Sequence, residues 1–365
     1  MSKATAAVMR AVNEPFTIEE LTLDEPRVGE VLVRMVAVGM CHTDVVTREM
    51  PLEMFAGPMV YGHEGAGIVE SVGPGVTGFQ QGDHVVMSFR SCNSCKSCQN
   101  LRPAYCSSIM TLNAMGRRDD GSSAFKDATG AEVISHFFGQ SSFSSRVVAD
   151  ARSLVKVDAC HDLSILAPLG CGIQTGAGSV FNFFKVKPGE SIAIIGAGAV
   201  GLSALMAAKV AKAGHIVAVD RHPSRLDLAT KYGATAAFNA APDELSEALL
   251  QACPTGFDYV LDTTGMASIL RAGFDALNYW GTLGICGVGQ GEVTFDMAAL
   301  QSGRSIRTVF LGDSNPETFI PYLAELNAKG KFPYHELIKT FPFSEINTAE
   351  QASKSGEVVK PVLIF

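Results

Sequence analysis

Ser191-Ile192-Ala193-Ile194-Ile195-Gly196-Ala197-Gly198-Ala199-Val200-Gly201 is the stretch whose reading decides the fold. Its first five residues have the pattern of a buried strand, and they run into G-x-G-x-x-G and then an Ala-rich helical segment reaching residue 213. Glycines at these three places permit a tight turn, the close approach of a pyrophosphate to backbone N–H groups, and close helix-to-strand packing. The helix N-terminus adds a positive dipole and free donors for phosphates. A second apolar strand, residues 215–219, ends in Asp220, where an acidic residue accepts hydrogen bonds from adenosine ribose hydroxyls; a carboxylate there repels a 2′-phosphate and favours NAD over NADP. Arg221 and Arg225 lie beside that position, either as contacts to the adenosine half or as solvated charges. A glycine-rich turn without a ligand is the competing reading, and strand, glycines, helix and acid in succession weigh against it.

Working outward, residues 191–195, 199–213, 215–219, 224–231 and 259–262 alternate apolar strands with helical stretches, the pattern of βαβ units around a parallel sheet. Before residue 150 the texture differs: short β-rich segments such as 31–36 and 67–72 are separated by turns such as Gly73-Pro74-Gly75, which predicts a compact, mostly β domain. Beyond residue 309 a helix at 316–328 and a closing strand at 359–365 are expected to pack back on that first domain. A chain of 365 residues exceeds what one hydrophobic core usually supports, so two domains are expected.

The formal net charge of −8 disfavours nucleic acid and anionic membrane surfaces as partners. Residues 1–12 contain no apolar run of signal-peptide length and no stretch is apolar enough to span a bilayer, so a cytoplasmic location is expected. In that reducing compartment, close spacings among the nine cysteines point to metal ligation or catalysis rather than disulfides.

Cys92, Cys95, Cys98 and Cys106 form C-x2-C-x2-C-x7-C, a set that can close a tetrahedral structural zinc site, with an iron–sulfur cluster as the competing reading. A dispersed set comprises Cys41 in Gly39-Met40-Cys41-His42-Thr43-Asp44, His63 and Glu64 in Gly62-His63-Glu64-Gly65-Ala66-Gly67, and Cys171 in Leu169-Gly170-Cys171-Gly172. Two Cys and one His are the ligands of a catalytic zinc that keeps a fourth position open. Taken singly, each of these residues is as readily an ordinary buried side chain.

In combination these motifs resemble the zinc-containing alcohol dehydrogenases of the medium-chain dehydrogenase/reductase superfamily over essentially the whole chain, and within them the aryl-alcohol, or benzyl-alcohol, and terpenol enzymes. The resemblance implies an α/β protein: a β-rich GroES-like catalytic domain at 1–172 and 310–365, with a structural zinc lobe at about 90–107, and a doubly wound, parallel-sheet Rossmann domain binding NAD at 173–309. It implies one catalytic zinc on Cys41, His63 and Cys171 with Glu64 as an alternative ligand, and one structural zinc. Thr43 becomes the proton relay from substrate to nicotinamide ribose, and Asp44 the carboxylate that orients His63. His42 and Lys360 match positions that meet the pyrophosphate, Thr175 and Val200 match contacts around the nicotinamide, and Val288 lies in a turn facing the carboxamide. One departure is Val46, where many relatives have a His that passes the proton onward; His42, an ordered water or release from the ribose takes its place.

The implied activity is oxidation of a primary alcohol, aromatic or allylic, to its aldehyde. Phe89, Phe137 and Met and Leu residues at 50–59 are candidates for an apolar substrate slot, core packing being the alternative. Cys160, Cys253 and Cys286 read as ordinary thiols, His84 as structural and Trp280 as packing. The resemblance also implies a homodimer or homotetramer joined in part by a strand near 295–309. An NADPH-dependent aldehyde or enal reductase, and a non-catalytic nucleotide-binding protein, are the competing functions; Asp220 weighs against the first and two complete ligand sets against the second.

Overall fold

The computed structural model describes residues 2–49, 57–289 and 291–365. The chain divides into two compact units, one of Met1–Cys171, Asn315–Glu325 and His335–Phe365, the other of Gly172–Ser314 and Leu326–Tyr334.

In the first unit the strand Glu30–Gly39 is central. It pairs with Glu64–Val72, with Arg146–Asp150 and with the C-terminal strand Lys360–Ile364, all antiparallel. Its residues are buried on both faces: Val31, Val33 and Met35 pack with Val69, Val85, Met87 and Val147, while Leu32 and Val38 join a second cluster around Tyr61, Phe137 and Phe143. The register sets Gly39 opposite both Glu64 and Val362. It therefore brings three distant stretches of sequence, ending at Met40, beginning at Glu64 and beginning at Lys360, to one edge of the sheet. A separate five-stranded sheet runs Met59–Val60, Ser2–Met9, Thr17–Leu23, Phe125–Lys126, Glu132–Val133.

The second unit holds six parallel strands in the order Ala236–Phe238, His215–Val219, Ser191–Ile195, Phe257–Asp262, Leu277–Ile285, Ser305–Thr308. In chain order this is 3-2-1-4-5-6, the doubly wound arrangement of a dinucleotide-binding fold. The helices Ala199–Val210 and Pro223–Tyr232 occupy the predicted crossovers. Residues 310–314 and 326–334, assigned by sequence to the other domain, group here: a Cβ on Gly178 would lie 2.3 Å from the Gly312 carbonyl, and Ser314 Oγ donates to Gln174 Oε1 at 2.9 Å.

Two expectations are corrected. Residues 295–309 are not one strand: Asp296 caps a short helix, Met297–Leu300, by accepting from the Ala298 amide, and only Ser305–Thr308 pairs with the sheet. Trp280 is not packed; it is 84% exposed with φ 66°, standing out from an irregularity in its strand. Among the described residues no single helix is long and apolar enough to cross a membrane.

A buried polar network braces the first unit. Glu30 accepts from Arg118 Nε (2.7 Å) and Nη2 (3.0 Å) and from the Arg27 amide (2.8 Å), with His136 Nε2 at 3.3 Å. Burial alone would raise its carboxyl, but the hydrogen bonds of His136, Arg118 and Arg27 outweigh this and hold it at about 2, below the ordinary 4.5. A depressed folded-state value stabilises the fold above pH 4.5, and that contribution fades as pH falls toward 2. Glu30→Gln should therefore lower the urea midpoint at neutral pH and flatten its decline between pH 4.5 and 2.

Candidate active site

Cys41 ends the run after Glu30–Gly39 and serves as N-cap of the helix His42–Arg48. Asp44, at the third helical position, accepts from the Cys41 amide through Oδ2 at 3.0 Å, from the Gly62 amide through Oδ1 at 3.2 Å, and meets His63 Nδ1 at 2.7 Å. Asp44 is 1% exposed and His63 fully buried. With Nδ1–H donated to Asp44, the lone pair of the imidazole sits on Nε2, which is buried without a hydrogen-bond partner. Ligand atoms of Cys41, His63, Glu64 and Cys171 all lie within 4.8 Å of one another.

The electrostatics of this cluster suit a cation. A hydrogen bond from Cys171 holds Cys41 well below the usual thiol range despite burial, helped by His63 and Lys360. Cys171 is pushed well above it by that same bond and by burial. The half-buried Cys41 thiolate and the buried Cys171 thiol share one proton until a metal displaces it, and thiolates with a neutral imidazole are the donor set zinc prefers. Burial pushes Glu64 up to about 7 against the pull of the Lys360 ammonium, 2.5 Å from its Oε2.

Lys360 lies beside the ligand cluster. Sequence puts it at the pyrophosphate; its ammonium turns inward, 1% exposed, onto Glu64 and the Met40 carbonyl at 3.0 Å, because the register places it beside the ligand strands. His42 is exposed, and Thr43 Oγ1 lies 3.8 Å from Cys41 Sγ.

The four-Cys loop is a second cluster of ligand atoms within 4.8 Å. Cys92 and Cys98 Sγ are 3.9 Å apart and Cys95 and Cys98 Sγ 3.5 Å, near the roughly 3.8 Å edge of a tetrahedron with ~2.3 Å zinc–sulfur bonds. The Cys95 amide points at Cys92 Sγ and the Cys92 and Ser108 amides at Cys106 Sγ, donors that stabilise thiolate. Hydrogen bonds bring Cys92 down to about 7 and Cys95 to about 5, whereas burial pushes Cys106 up to about 11.

In the second unit, the three glycines meet three different constraints. Gly196 has φ 94°, and a Cβ there would strike Thr263 Oγ1 at 2.2 Å; on Gly201 it would lie 1.8 Å from the Gly196 carbonyl oxygen; on Gly198, the exposed N-cap of Ala199–Val210, it meets nothing within 4 Å. The open space lies at the helix N-terminus, where a pyrophosphate would approach in a dinucleotide-binding fold. Asp220 accepts from the Ala197 amide (2.7 Å) and the His222 amide (2.8 Å), which fixes the acid beside the loop. Arg225 is 7% exposed, so the solvated-charge reading fails, and burial lowers its pKa against the attraction of Asp220. Thr175 and Val200 are half-buried, and Val288 is 85% exposed in its turn.

Other residues fall outside both clusters. Phe89 (3% exposed) and Phe137 (1%) are buried, Met50 to Ala56 lie outside the described residues, and Met59 is core. Cys160 is exposed and Cys253 buried, while burial pushes Cys286 up to about 12. His84 opens the strand His84–Met87. Sequence reasoning missed Phe138, whose ring stacks on the His63 imidazole at 4.6 Å with Phe137 edge-on at 5.6 Å. It also missed Gln140, which bonds the His63 carbonyl. Neither belongs to a ligand motif, and Phe138 reaches His63 through a left-handed backbone, φ 53°, that its residue type does not announce.

A buried Cys–His–Cys cluster in one unit and a dinucleotide-type glycine loop in the other define a metal-dependent dehydrogenase. Residues 27–159 match the family described as alcohol dehydrogenase GroES-like domain, and residues 199–328 the zinc-binding dehydrogenase family. The geraniol dehydrogenase of Castellaniella defragrans is 39% identical over 99% of this chain and 98% of its own. Two crystal structures superpose with a TM-score of 0.95: a benzyl alcohol dehydrogenase from Acinetobacter calcoaceticus, 40% identical with 100% of both chains covered, and an alcohol dehydrogenase zinc-binding domain protein from Burkholderia ambifaria, 44% identical with 100% and 99% covered. The chain belongs to the zinc-dependent alcohol dehydrogenases of the medium-chain dehydrogenase/reductase superfamily.

Asp44→Ala removes the partner of Nδ1, and zinc affinity at the Cys41 cluster should fall about 10- to 100-fold, read by competition with a chelator, while the four-Cys loop keeps its metal. Gly201→Ala should lower the melting temperature through overpacking, whereas Gly198→Ala should leave it unchanged and weaken dinucleotide binding in calorimetry.

Proposed function

We propose that the protein oxidises a primary aromatic or allylic alcohol to its aldehyde with NAD, in the cytoplasm and as a homodimer or homotetramer. The observation that carries the substrate class is the aromatic flank of His63, the partly exposed Phe138 ring backed by buried Phe137. An sp² carbon next to the reacting carbon suits such a flank, since aromatic faces and edges attract one another in stacked and T-shaped contacts. The relatives named for benzyl alcohol and geraniol point the same way. Asp220 supports NAD, because its carboxylate repels a 2′-phosphate.

In the forward direction NAD would supply the acceptor for the alcohol carbon's hydride and the hydroxyl would give up its proton, leaving aldehyde and NADH. Cys41, His63 and Cys171, with Glu64 as an alternative ligand, would hold a zinc ion, which would supply the Lewis acidity that lowers the pKa of an alcohol toward neutrality. Asp44 fixes the His63 tautomer with Nε2 as the ligand atom. Thr43 takes the proton toward the cofactor ribose. Val46 carries no proton, so release passes to His42, exposed beside Thr43, or to water. For self-association, the edge strand Ser305–Thr308 and the exposed Trp280 and Met297 offer a surface for a second copy.

NADH formation from ethanol, benzyl alcohol, cinnamyl alcohol and geraniol, each with NAD and NADP, tests the reading. The highest kcat/KM should fall on the aromatic or allylic alcohols with NAD. A preference for ethanol, or for NADP, would contradict it.

A further inference from the structure

The ligands of the Cys41 cluster come from three separate segments, and Asp44 ties only two of them together. We propose that Gln140, acting with Ser88, is a positioning residue of the metal centre that fixes the His63–Glu64 segment against Cys171. The proposal rests on the zinc reading of that cluster.

Gln140 is fully buried, and its carboxamide makes three hydrogen bonds. Nε2 donates to the His63 carbonyl at 3.0 Å and to the Ser88 carbonyl at 2.9 Å, and Oε1 accepts from the Gly65 amide at 3.1 Å. The side chain thus grips the backbone on both sides of Glu64. From Ser88 the chain of bonds continues, since its Oγ donates to the Gly170 carbonyl at 2.7 Å, next to Cys171. Gly170 permits this closeness: a Cβ there would lie 2.2 Å from the Met87 carbonyl oxygen and 3.1 Å from Glu64 Cα.

The backbone around Gln140 is held in costly conformations. Phe138 (φ 53°) and Ser141 (φ 49°), neither of them glycine, are left-handed, which persists only where surrounding contacts over-determine it. Ser141 supplies part of that hold, its Oγ donating to the Val60 carbonyl at 2.6 Å and accepting from the Phe137 amide at 2.9 Å. The strained turn aims a primary amide, the one neutral group with two donors and an acceptor in a plane, at two carbonyls and an amide. A carboxylate in its place would face two carbonyls with no proton to give, and an apolar side chain would leave all three bonds unmade in a dry site.

The test uses Gln140→Met, close to Gln in length, and Ser88→Ala, which keeps Gln140 and removes only the bond to Gly170. Full-length protein is depleted of metal and titrated with cobalt(II), whose visible absorption reports ligand geometry, and kcat and KM are measured after zinc loading. Gln140→Met should lower the melting temperature, since buried bonds are lost, yet still unfold cooperatively and keep its four-Cys metal. At the Cys41 cluster its cobalt affinity should fall about 10- to 100-fold with a shifted spectrum, and kcat should fall with little change in KM for the nucleotide. Ser88→Ala should show the same change in weaker form. Wild-type affinity and spectrum in Gln140→Met would overturn the proposal; if that variant does not fold, a wild-type spectrum and affinity in Ser88→Ala overturns it. A native chain that takes up cobalt at the four-Cys loop alone would overturn the metal-centre reading itself, and the proposal with it.

Discussion

One buried carboxylate organises the catalytic half of this protein. Asp44 reaches the Cys41 amide, the Gly62 amide and His63 Nδ1, so one side chain caps a helix, joins two segments of chain and sets an imidazole tautomer. Three charge-assisted hydrogen bonds meet the cost of burying the carboxylate, and their loss would leave a buried charge uncompensated. The central strand Glu30–Gly39 delivers Cys41 to this point, and its register with Glu64–Val72 delivers His63 and Glu64.

Charge is balanced locally around that carboxylate. The Cys41 thiolate, Glu64 and Asp44 lie with the Lys360 ammonium inside a core where each ion alone would be expensive. Lys360 compensates most directly, its ammonium 2.5 Å from Glu64. A divalent cation taken up by the Cys41 thiolate and the Cys171 thiol releases the proton they share and stabilises the same arrangement, which couples metal binding to the order of the site.

Much of this was legible in the sequence because the motifs encode local geometry. Gly196, Gly198 and Gly201 each answer a steric demand that the structure shows separately, a positive φ, an open approach and a close carbonyl, and only glycine spacing has to be read to expect them. The ligand residues were legible as residue types, Cys and His in short patterns, and both sets converge in space. What stayed hidden depends on long-range register or on unusual backbone. Lys360 lies beside Glu64 because the C-terminal strand pairs with Glu30–Gly39, a contact spanning some three hundred residues that no local pattern carries. Trp280 looked like core because tryptophan usually is, and a left-handed residue in an irregular strand turns it outward. Phe138 and Gln140 escaped notice because a left-handed phenylalanine followed by a buried amide has no sequence signature.

The most direct test of the account is zinc counted per chain, before and after brief dialysis against a chelator, with alcohol oxidation followed on the same samples. The account predicts two zinc ions per chain, loss of the one at Cys41, His63 and Cys171 together with all activity, and recovery of both on adding zinc back. Activity that survives loss of that ion, or a fully active protein holding zinc only at Cys92, Cys95, Cys98 and Cys106, would contradict it.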